Sequence, residues 1–423
     1  MSLLDAPEAQ ALLADATVSP ESLRGCRRDL EAFLARYLPV FYRVEMREHA
    51  RTYIRGLLSS LQRKTCLPIA IEQGVDEKPL QYFVGLGSWD AEAVMAEVRL
   101  HVAEECGHPE GVLILDPSAF AKKGSASCGV KRQWCGRLGK LENCQVGVFL
   151  AYSSPRGRGP LDRRLYLPED WASDPARRKK THVPPGTSFR TKWQMGLDLL
   201  AARRDEIRHG WITGDDEFGR AAGFREQLRA WNERYVLDVP CDTLVRDLQR
   251  RRPPRRRGRR GRRREVPFVP AKDWAAAQAP SRWQRFKIAD GEKGPLLVDA
   301  VRCTVQTRTD GRVGAVATLL VTRSVGPTTE FSFALTNAGP QVPLEQLLSV
   351  KAQRHHIEEL FEQAKGEAGL SHYEVRSWTG WHHHVTLSLL ALWFLATQRR
   401  RLRGKKSGHH RATGSSHLRA LAS

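Results

Sequence analysis

The sequence lacks the long apolar runs that would place it in a membrane. None of its apolar stretches reaches the roughly 20 residues that a transmembrane helix needs. The longest candidate, Val385 to Ala396, is too short and contains Thr386 and Ser388. The first residues also lack a basic region followed by an apolar one, so no secretory signal is predicted. These absences predict a cytoplasmic protein without a membrane partner.

Cysteine and glycine patterns typical of metal and nucleotide sites are also lacking. The eight cysteines form no Cys-x-x-Cys pair and are expected to be reduced thiols, several of them buried. Zinc at Cys128, Cys135 and Cys144 is disfavoured, because their spacings do not match the common ribbons and fingers. The Gly-rich stretch from Gly136 to Lys140 is not followed by Gly-Lys-Ser/Thr, which excludes a P-loop.

Negative charge is scarce relative to positive charge. The 68 Lys and Arg residues exceed the 47 Asp and Glu residues, which gives a formal net charge of +21 among 423 residues. Hydrophobic residues make up 41% of the chain, so wholesale disorder is excluded. Such an excess of positive charge indicates a polyanionic partner, most simply nucleic acid.

The positive charge is concentrated in one run. Eleven of the 15 residues from Arg250 to Arg264 are arginine, and removing this run leaves a net charge of +10 (21 minus 11). Like charges interspersed with Pro and Gly cannot pack, which predicts a solvated, mobile loop. Residues 398–423 are also basic and poor in apolar residues, and are expected to form a flexible tail.

Apolar periodicity divides the chain into five parts. Residues 1–105 show helical spacing over 23–37, 44–61 and 89–105, which predicts an N-terminal helical, DNA-binding domain. From about 110, strands at 111–116, 143–152, 161–167, 210–215 and 234–239 alternate with helices at 191–204 and 221–232. This α/β order predicts a mixed sheet covered by helices. The α/β region spans 106–245 and 326–397, and it is interrupted by a β-rich insertion at 246–325 that begins with the arginine run.

Two of these predicted strands end in an acid, Asp116 and Asp215. Side chains at strand ends of α/β sheets leave the sheet for a crevice where ligands and metals bind. The alternative is that each acid only caps a turn or a helix. A third acid, Glu358, lies on the helix predicted over residues 344–366 and shares a face with Arg354 and Lys365, which stand four residues before it and seven after it. Its alternative role is an exposed Arg–Glu pair worth about 0.2–0.5 kcal/mol.

These residues lie within longer motifs that match a known family. The motifs are Asp116-Pro-Ser-Ala-Phe-Ala-Lys-Lys-Gly124, Gly129-Val-Lys-Arg-Gln-Trp-Cys-Gly136, Pro160-Leu-Asp-Arg-Arg-Leu-Tyr-Leu-Pro168, Gly214-Asp-Asp-Glu-Phe-Gly-Arg220 and Gly369-Leu-Ser-His-Tyr-Glu-Val-Arg-Ser-Trp378. Over residues 20–395 the chain resembles the DDE transposases of bacterial insertion sequences, and it looks closest to the 701 group. The spacing Arg354-x3-Glu358-x6-Lys365 matches the family signature Tyr-x2-Arg-x3-Glu-x6-Lys, except that Lys351 replaces the tyrosine.

The resemblance implies a ribonuclease H-like catalytic fold in which Asp116, Asp215 and Glu358 are the catalytic acids. Asp215 is preferred to Asp216 because it aligns with the family's acid before the aromatic-Gly pair. Three carboxylates suit two Mg²⁺ ions, with Mn²⁺ as a substitute, since two hard cations stabilise both oxygens of a displacement at phosphorus. In this scheme Asp116 bridges both ions, Asp215 holds one and Glu358 holds the other.

The predicted partner is double-stranded DNA, both element ends and target, bound by a homodimer or a larger synaptic assembly. Cations near the acids and in the arginine run are expected to contact phosphates. They are Arg354, Lys365, Lys122, Lys123, Arg255, Arg256, Arg257, Arg259 and Arg260. For Lys122 and Lys123 the alternative is plain solvent exposure.

Two aromatic groups near the C-terminus leave alternatives open. His382, His383 and His384 point in three directions if helical, so a DNA-facing or packing role is favoured over a metal site. Trp378 and Trp381 are expected to pack in the core, with stacking on a flipped base as the weaker alternative.

For the whole chain, three functions remain open: an active transposase, a repurposed or inactive member that only binds or targets DNA, and a general nuclease.

Overall fold

A computed structural model describes residues 20–251, 265–291, 294–326 and 329–405. The helices are α1 Pro20–Ala35, α2 Val44–Leu58, α3 Cys66–Gln73, α4 Glu77–Gly85, α5 Ala91–Cys106, α6 Glu169–Ala172, α7 Pro175–Lys180, α8 Lys192–Arg203, α9 Asp216–Gly219, α10 Ala222–Ala230, α11 Ala271–Ala276, α12 Leu344–Gly366 and α13 Trp378–Lys405. Short 3-10 helices lie at Leu38–Val40, Gly136–Leu138, Arg204–Glu206 and Pro280–Arg282.

The described strands form one twelve-stranded sheet. They are β1 Val112–Ala121, β2 Lys131–Cys135, β3 Lys140–Ser154, β4 Gly157–Leu165, β5 Trp211–Gly214, β6 Tyr235–Val239, β7 Leu244–Asp247, β8 Val269–Pro270, β9 Gln284–Gly291, β10 Gly294–Thr309, β11 Arg312–Ser324 and β12 Phe331–Thr336. The order is β2-β3-β1-β5-β6-β12-β11-β10-β7-β8, with β4 beside β3 and β9 beside β10. The prediction of a mixed α/β sheet with many helices is confirmed.

The centre of the sheet combines antiparallel and parallel pairing. β1 pairs antiparallel with β3 on one side and parallel with β5 on the other. β5 pairs parallel with β6, and β3 pairs antiparallel with β4. The strands from β4 to β6 therefore lie in the order β4-β3-β1-β5-β6. Strands β1, β5 and β6 run in the same direction, so the carboxyl ends of β5 and β6 lie at the edge where the pairing of β1 with β5 stops.

Strand β1 is longer than the sequence pattern predicts. The predicted end at Asp116 is wrong, since the strand continues to Ala121 and pairs with β3 along its whole length. Its pairing with β5 stops at Leu115. Pro117, which lacks an N–H group, therefore stands where β1 has a neighbour on one side only, and there a missing donor is tolerated. The residues around Asp116 mark the end of the pairing with β5, and not the end of strand β1.

The predicted insertion continues the central sheet. β12 pairs antiparallel with β6 on one side and with β11 on the other, and β10 follows β11. Four strands that the periodicity did not predict are β2, β7, β8 and β9. The arginine run from residue 252 onward and the tail beyond residue 405 lie outside the described residues, so their predicted mobility stays a prediction.

A single apolar core joins the N-terminal helices to the central sheet. It contains Leu34 and Leu57 of the N-terminal helices, Leu113 of β1, Phe361 of α12 and Trp393 of α13. A smaller core lies between the added strands and α11 and includes Val245, Trp274 and Leu319. Within the described ranges, the longest apolar helical segments fall short of what a membrane crossing requires.

Candidate active site

Three aspartates follow one another across the parallel strands. Leu115 of β1 is paired with Gly214 of β5, and Gly214 is paired with Leu237 of β6. The next residues along the chain are Asp116, Asp215 and Asp238. Because parallel strands in register present equivalent positions at the same level, the sheet places these aspartates in a row along one edge.

Asp116 faces helix α12. Its cross-strand partner on β3 is Phe149, whose ring centre lies 4.8 Å from that of Phe361 in α12. Directly opposed residues of two strands share a face of the sheet. Within the described part of the chain, the Asp116 carboxylate has no hydrogen bond or ion pair. Burial and the neighbouring charge of Asp215 raise its pKa well above the ordinary value, since neither favours ionisation.

Asp215 ends strand β5 and caps helix α9. Its side chain accepts a hydrogen bond of 3.1 Å from the backbone N–H of Glu217. Burial raises the pKa of Asp215 to about 7, helped by the charge of Asp216 and opposed by that of Arg354. Asp216 itself pairs with Arg220 at the surface. The structure therefore places Asp215, and not Asp216, beside Asp116, and the capping role proposed as an alternative holds at the same time.

Glu358 lies on α12. Its charge acts on Asp116, but its carboxylate is paired with other groups. Its Oε1 atom is 3.0 Å from an Nη atom of Arg354, and its Oε2 atom is 3.4 Å from Nδ1 of His355. The charge of Glu358 contributes to the raised pKa of Asp116. No group of three or more His, Cys, Asp or Glu side chains in the described ranges is arranged to hold a metal ion. The structure therefore joins Asp116 to Asp215 and leaves Glu358 on its helix, held by Arg354.

Arg354 is the cation at the centre of the acidic groups. Its Nε atom lies 3.0 Å from Oδ2 of Asp238, while its Nη2 atom pairs with Glu358. Burial lowers its pKa, but the charges of Asp238, Glu358, Asp116 and Asp215 outweigh burial and raise the pKa above the ordinary value. The predicted Arg–Glu pair on one helix face is confirmed, but it faces the site and not only the solvent.

The three predicted lysines occupy different environments. The Lys365 ammonium lies 5.7 Å from the centre of the Phe120 ring, and its charge lowers the pKa of Asp116. Lys122 is half-buried, donates a 2.9 Å hydrogen bond to the carbonyl of Tyr373 and lies 3.2 Å above that ring's centre. Burial lowers the pKa of Lys122 to about 7. Lys123 is exposed. Arg255, Arg256, Arg257, Arg259 and Arg260 lie outside the described residues.

Asp238 and Lys351 are the site residues that the sequence did not assign. Asp238 pairs with both Lys351 and Arg354. Two signals were present: Asp238 is the polar residue of the apolar strand Tyr235–Val239, and Lys351 replaces the tyrosine of the family signature. Neither signal shows that the two residues meet, because the pairing depends on how α12 crosses the sheet.

The three consecutive histidines have packing roles. The Nδ1 and Nε2 atoms of His383 lie 3.2 and 3.1 Å from the carbonyl oxygens of Val84 and Trp89, and the neutral ring donates its one N–H group to one of them. Nδ1 of His384 lies 2.8 Å from the hydroxyl oxygen of Tyr53. Burial lowers the pKa of His382 to about 3, of His383 to about 4 and of His384 to about 3. Helix α13 thus uses neutral imidazoles to join the N-terminal helices to the core. Trp381 is fully buried, as predicted.

The residues at the sheet edge fit a hard divalent cation. Asp116 and Asp215 supply only carboxylate oxygens, which Mg²⁺ and Mn²⁺ prefer. Their raised pKa values show that the negative charge at this edge is poorly compensated, and a bound cation would neutralise it. Glu358 is close enough to influence Asp116, so release from Arg354 would add a third oxygen ligand.

Two comparisons relate the chain to known proteins. The sequence pattern of the family described as DDE superfamily endonuclease matches residues 36–295, which include Asp116, Asp215 and Asp238 but not Glu358. A probable transposase for the insertion sequence element IS701 from Microchaete diplosiphon is 28% identical over 201 residues. That alignment covers 46% of this chain and 49% of the relative, so the chain spans about half the length of the curated relative it matches.

Proposed function

The chain belongs to the DDE superfamily of endonucleases, and from this premise we propose that it is a DNA transposase. In this proposal it cleaves phosphodiester bonds at the ends of an insertion sequence and joins the freed 3′-hydroxyl to target DNA. The similarity to a transposase of the IS701 element supports the substrate class. The proposed chemistry uses two divalent ions, Mg²⁺ with Mn²⁺ as a substitute, which when bound would stabilise the attacking and leaving oxygens at phosphorus.

One observation carries the proposal. Asp116 and Asp215 lie side by side where the parallel pairing of β1 with β5 stops, with a pKa that burial raises in each, opposite a helix that bears Glu358, Arg354 and Lys365. A purely structural pair of carboxylates would be expected to have cations or donors of its own. The Asp116 carboxylate has none among the described residues, which favours a role in holding a ligand.

Each side chain receives a role from its position. Asp116 and Asp215 would hold the metal ions, and Glu358, once released by Arg354, would be their third oxygen ligand. Arg354 and Lys365 bind the phosphates that flank the scissile bond, because both cations lie next to the acids. We assign Lys123 to the same DNA surface. We also assign the half-buried Lys122 to this DNA surface. Its hydrogen bond to the Tyr373 carbonyl leaves its ammonium group less free to reach DNA.

We infer that the catalytic domain has the ribonuclease H-like topology. The strand order β4-β3-β1-β5-β6, antiparallel and then parallel around β1, supports this assignment. The N-terminal helices and the strand-rich segment with the arginine run are proposed to bind the flanking DNA. Two element ends require two active sites, so we propose a homodimer or a larger synaptic assembly near the nucleoid.

A strand-transfer assay tests this function. The substrate is a duplex that carries the DNA flanking the coding sequence, cut beforehand so that it ends in a 3′-hydroxyl, mixed with a supercoiled plasmid. We expect joined products with Mg²⁺ or Mn²⁺ from the wild type and none from D215N. Cutting that ignores the element end, without joining, would indicate a general nuclease. Binding of the end without any metal-dependent turnover would indicate a protein that only targets DNA.

A further inference from the structure

The carboxylate of Asp238 is held by two cations that stand three residues apart on α12. Its Oδ1 atom pairs with Nζ of Lys351, and its Oδ2 atom lies 3.0 Å from Nε of Arg354. The side chains of Asp238 and Lys351 are only 17% and 14% exposed. Residues at i and i+3 of a helix share a face, so one carboxylate on β6 reaches both. The contact fixes this face of α12 to the strand next to Asp215.

This contact determines which edge of the arginine is free to exchange partners. A guanidinium offers its Nε–H group on one edge and its Nη groups on the others. Asp238 holds Nε, and Nη2 is paired with Glu358. The Glu358 side chain is 43% exposed, against 28% for Arg354. The Glu358 side of the fork is therefore the more accessible side, while the Asp238 side is anchored.

The charges of these residues also separate the two sides of the guanidinium. Lys351 supplies a positive charge to Asp238, so Asp238 does not cancel the charge of Arg354. The guanidinium keeps a positive charge for whichever anion occupies its Nη edge. Beside it lies a cavity of about 190 Å³ whose polar lining is Asp238, Lys351, Arg354, His355, Glu358, Thr322 and Ser332, and whose apolar lining is Ile288, Val298, Leu348 and Ala352. Its cations and hydroxyl groups suit a phosphodiester group once Glu358 has left, because Lys351 balances the charge of Asp238.

We infer that Asp238, neutralised by Lys351, is a positioning residue for Arg354. It holds the guanidinium in place while the Nη edge exchanges Glu358 for a DNA phosphate, and the exchange frees Glu358 to join Asp116 and Asp215. Asp238 itself is not a metal ligand in this account, because cations already occupy both of its oxygens. The inference rests on the proposed function for the identity of the phosphate, but the arrangement is tested by DNA binding alone.

A double-mutant cycle between Asp238 and Arg354 tests the inference. The proteins are the wild type, D238N, R354Q and the double variant, with D198N as a control, because Asp198 pairs with surface arginines away from α12. Affinity for a short duplex spanning the proposed cleavage site is measured by fluorescence anisotropy in EDTA, together with the melting temperature of each protein. The amide of D238N retains the shape of the carboxylate and removes its charge.

We expect R354Q and D238N each to weaken DNA binding, R354Q by about tenfold, the size of one charge-assisted contact. In the R354Q background, D238N should cause no further loss, because a positioning residue acts through the group it holds. D198N should bind like the wild type. Equal penalties for D238N in both backgrounds, or none in either, would overturn the inference.

K351M gives a second measurement that does not depend on replacing Asp238. Without Lys351, Asp238 has only Arg354 as its cation, so less positive charge remains for a phosphate and DNA binding should weaken. This loss should also disappear in the R354Q background. If K351M weakens binding equally with and without Arg354, Lys351 contacts DNA itself and the positioning account is wrong. All of these affinities are measured without metal. They therefore test the positioning of Arg354 even if the protein fails to carry out strand transfer.

Discussion

At the scale of single residues, the site is defined by neighbouring carboxylates that differ in whether a cation pairs with them. Asp116 lacks a partner among the described residues, while Asp215 has one backbone donor. Glu358 and Asp238 instead share the cation Arg354. Within the described ranges, Asp116 and Asp215 are therefore not held by a cation, whereas Glu358 must first leave Arg354 before it can join them, and Asp238 stays bound to Arg354.

Asp215 provides a pH test of this charge imbalance. Its pKa rises from 3.8 to about 7 in the folded protein, so between these values the folded state binds more protons than the unfolded state. Stability of the metal-free protein should therefore fall as the pH rises from 4 toward 7. D215N removes this contribution and should raise the melting temperature in EDTA at pH 8 but not at pH 4.5.

The control for this experiment is D198N, which removes a surface carboxylate paired with Arg164 and Arg190. It should not raise the melting temperature at pH 8. Adding Mg²⁺ or Mn²⁺ at pH 8 should stabilise the wild type more than D215N, because the cation and the proton compete for the same oxygens. A wild type whose melting temperature is independent of pH and metal would contradict the charge imbalance.

Sequence reasoning located five residues of the site but not the contacts among them. Asp116 and Asp215 stood out as strand-end acids, and Arg354, Glu358 and Lys365 by their helical spacing. Asp238 was missed because its importance comes from the register between β5 and β6 and from the approach of α12. Those are long-range relations that a local pattern does not contain. The exception is the pair of Arg354 and Glu358, which their spacing of four residues on one helix did predict.

At the scale of secondary structure, helix α9 sets the distance between two of the acidic strand ends. It begins at Asp216, directly after Asp215, and ends at Gly219, which lies against β6. A Cβ atom at Gly219 would stand 1.8 Å from the carbonyl oxygen of Asp238. Glycine is therefore required here by a close backbone approach, and this approach keeps Asp215 and Asp238 on adjacent strand ends.

G219A should destabilise the protein by about 1–3 kcal/mol or more, because the backbone of β6 or the helix must shift. The matched control is G223A in α10, where the nearest atom to a new Cβ is 3.4 Å away on the Trp193 ring. Alanine favours a helix over glycine by roughly 1 kcal/mol, so G223A should be neutral or stabilising. Denaturant unfolding compares the two. Similar stabilities for both variants would refute the close approach.

Helices and strands with a strong apolar periodicity were predictable from the sequence. Strands whose extent depends on hydrogen bonding to a neighbouring strand were not. The helix over residues 344–366 was predicted with the bounds that α12 has, since its apolar stripe is long and regular. The predicted strand ended at Asp116, because the continuous apolar run ends there, whereas the extension of β1 to Ala121 depends on its pairing with β3. The two-residue strand β8 exists only through its pairing with β7, which no local signal encodes.

At the scale of the whole molecule, the sheet connects the acidic site to the basic segments. The strands predicted as a separate insertion extend the catalytic sheet through β12, and the arginine run falls between β7 and β8 in the chain. The whole chain has a net charge of +21, whereas the site brings carboxylates together at one edge of the sheet. We expect the excess of basic residues to attract DNA and the carboxylates to attract metal ions.

Replacing the eleven arginines of residues 250–264 with serine tests the role of that run. Each phosphate contact adds a slope of about −0.9 to the dependence of log affinity on log salt concentration. The variant should bind all duplexes more weakly and with a flatter slope. Circular dichroism and the melting temperature should remain those of the wild type, because the replaced segment is predicted to make no packing contacts. An unchanged slope would place the run away from DNA.

The central claim is that Asp116, Asp215 and Glu358 act together to cut DNA with a divalent cation. Cleavage of an end-labelled duplex carrying the element end tests it most directly, with the wild type, D116N, D215N, E358Q and the D198N control at equal occupancy of DNA. The wild type and D198N should cut only when Mg²⁺ or Mn²⁺ is present. Each of the three active-site variants should lose more than the roughly 10–100-fold typical of residues that only support a metal ligand. Cleavage at the wild-type rate by any of the three would contradict the account.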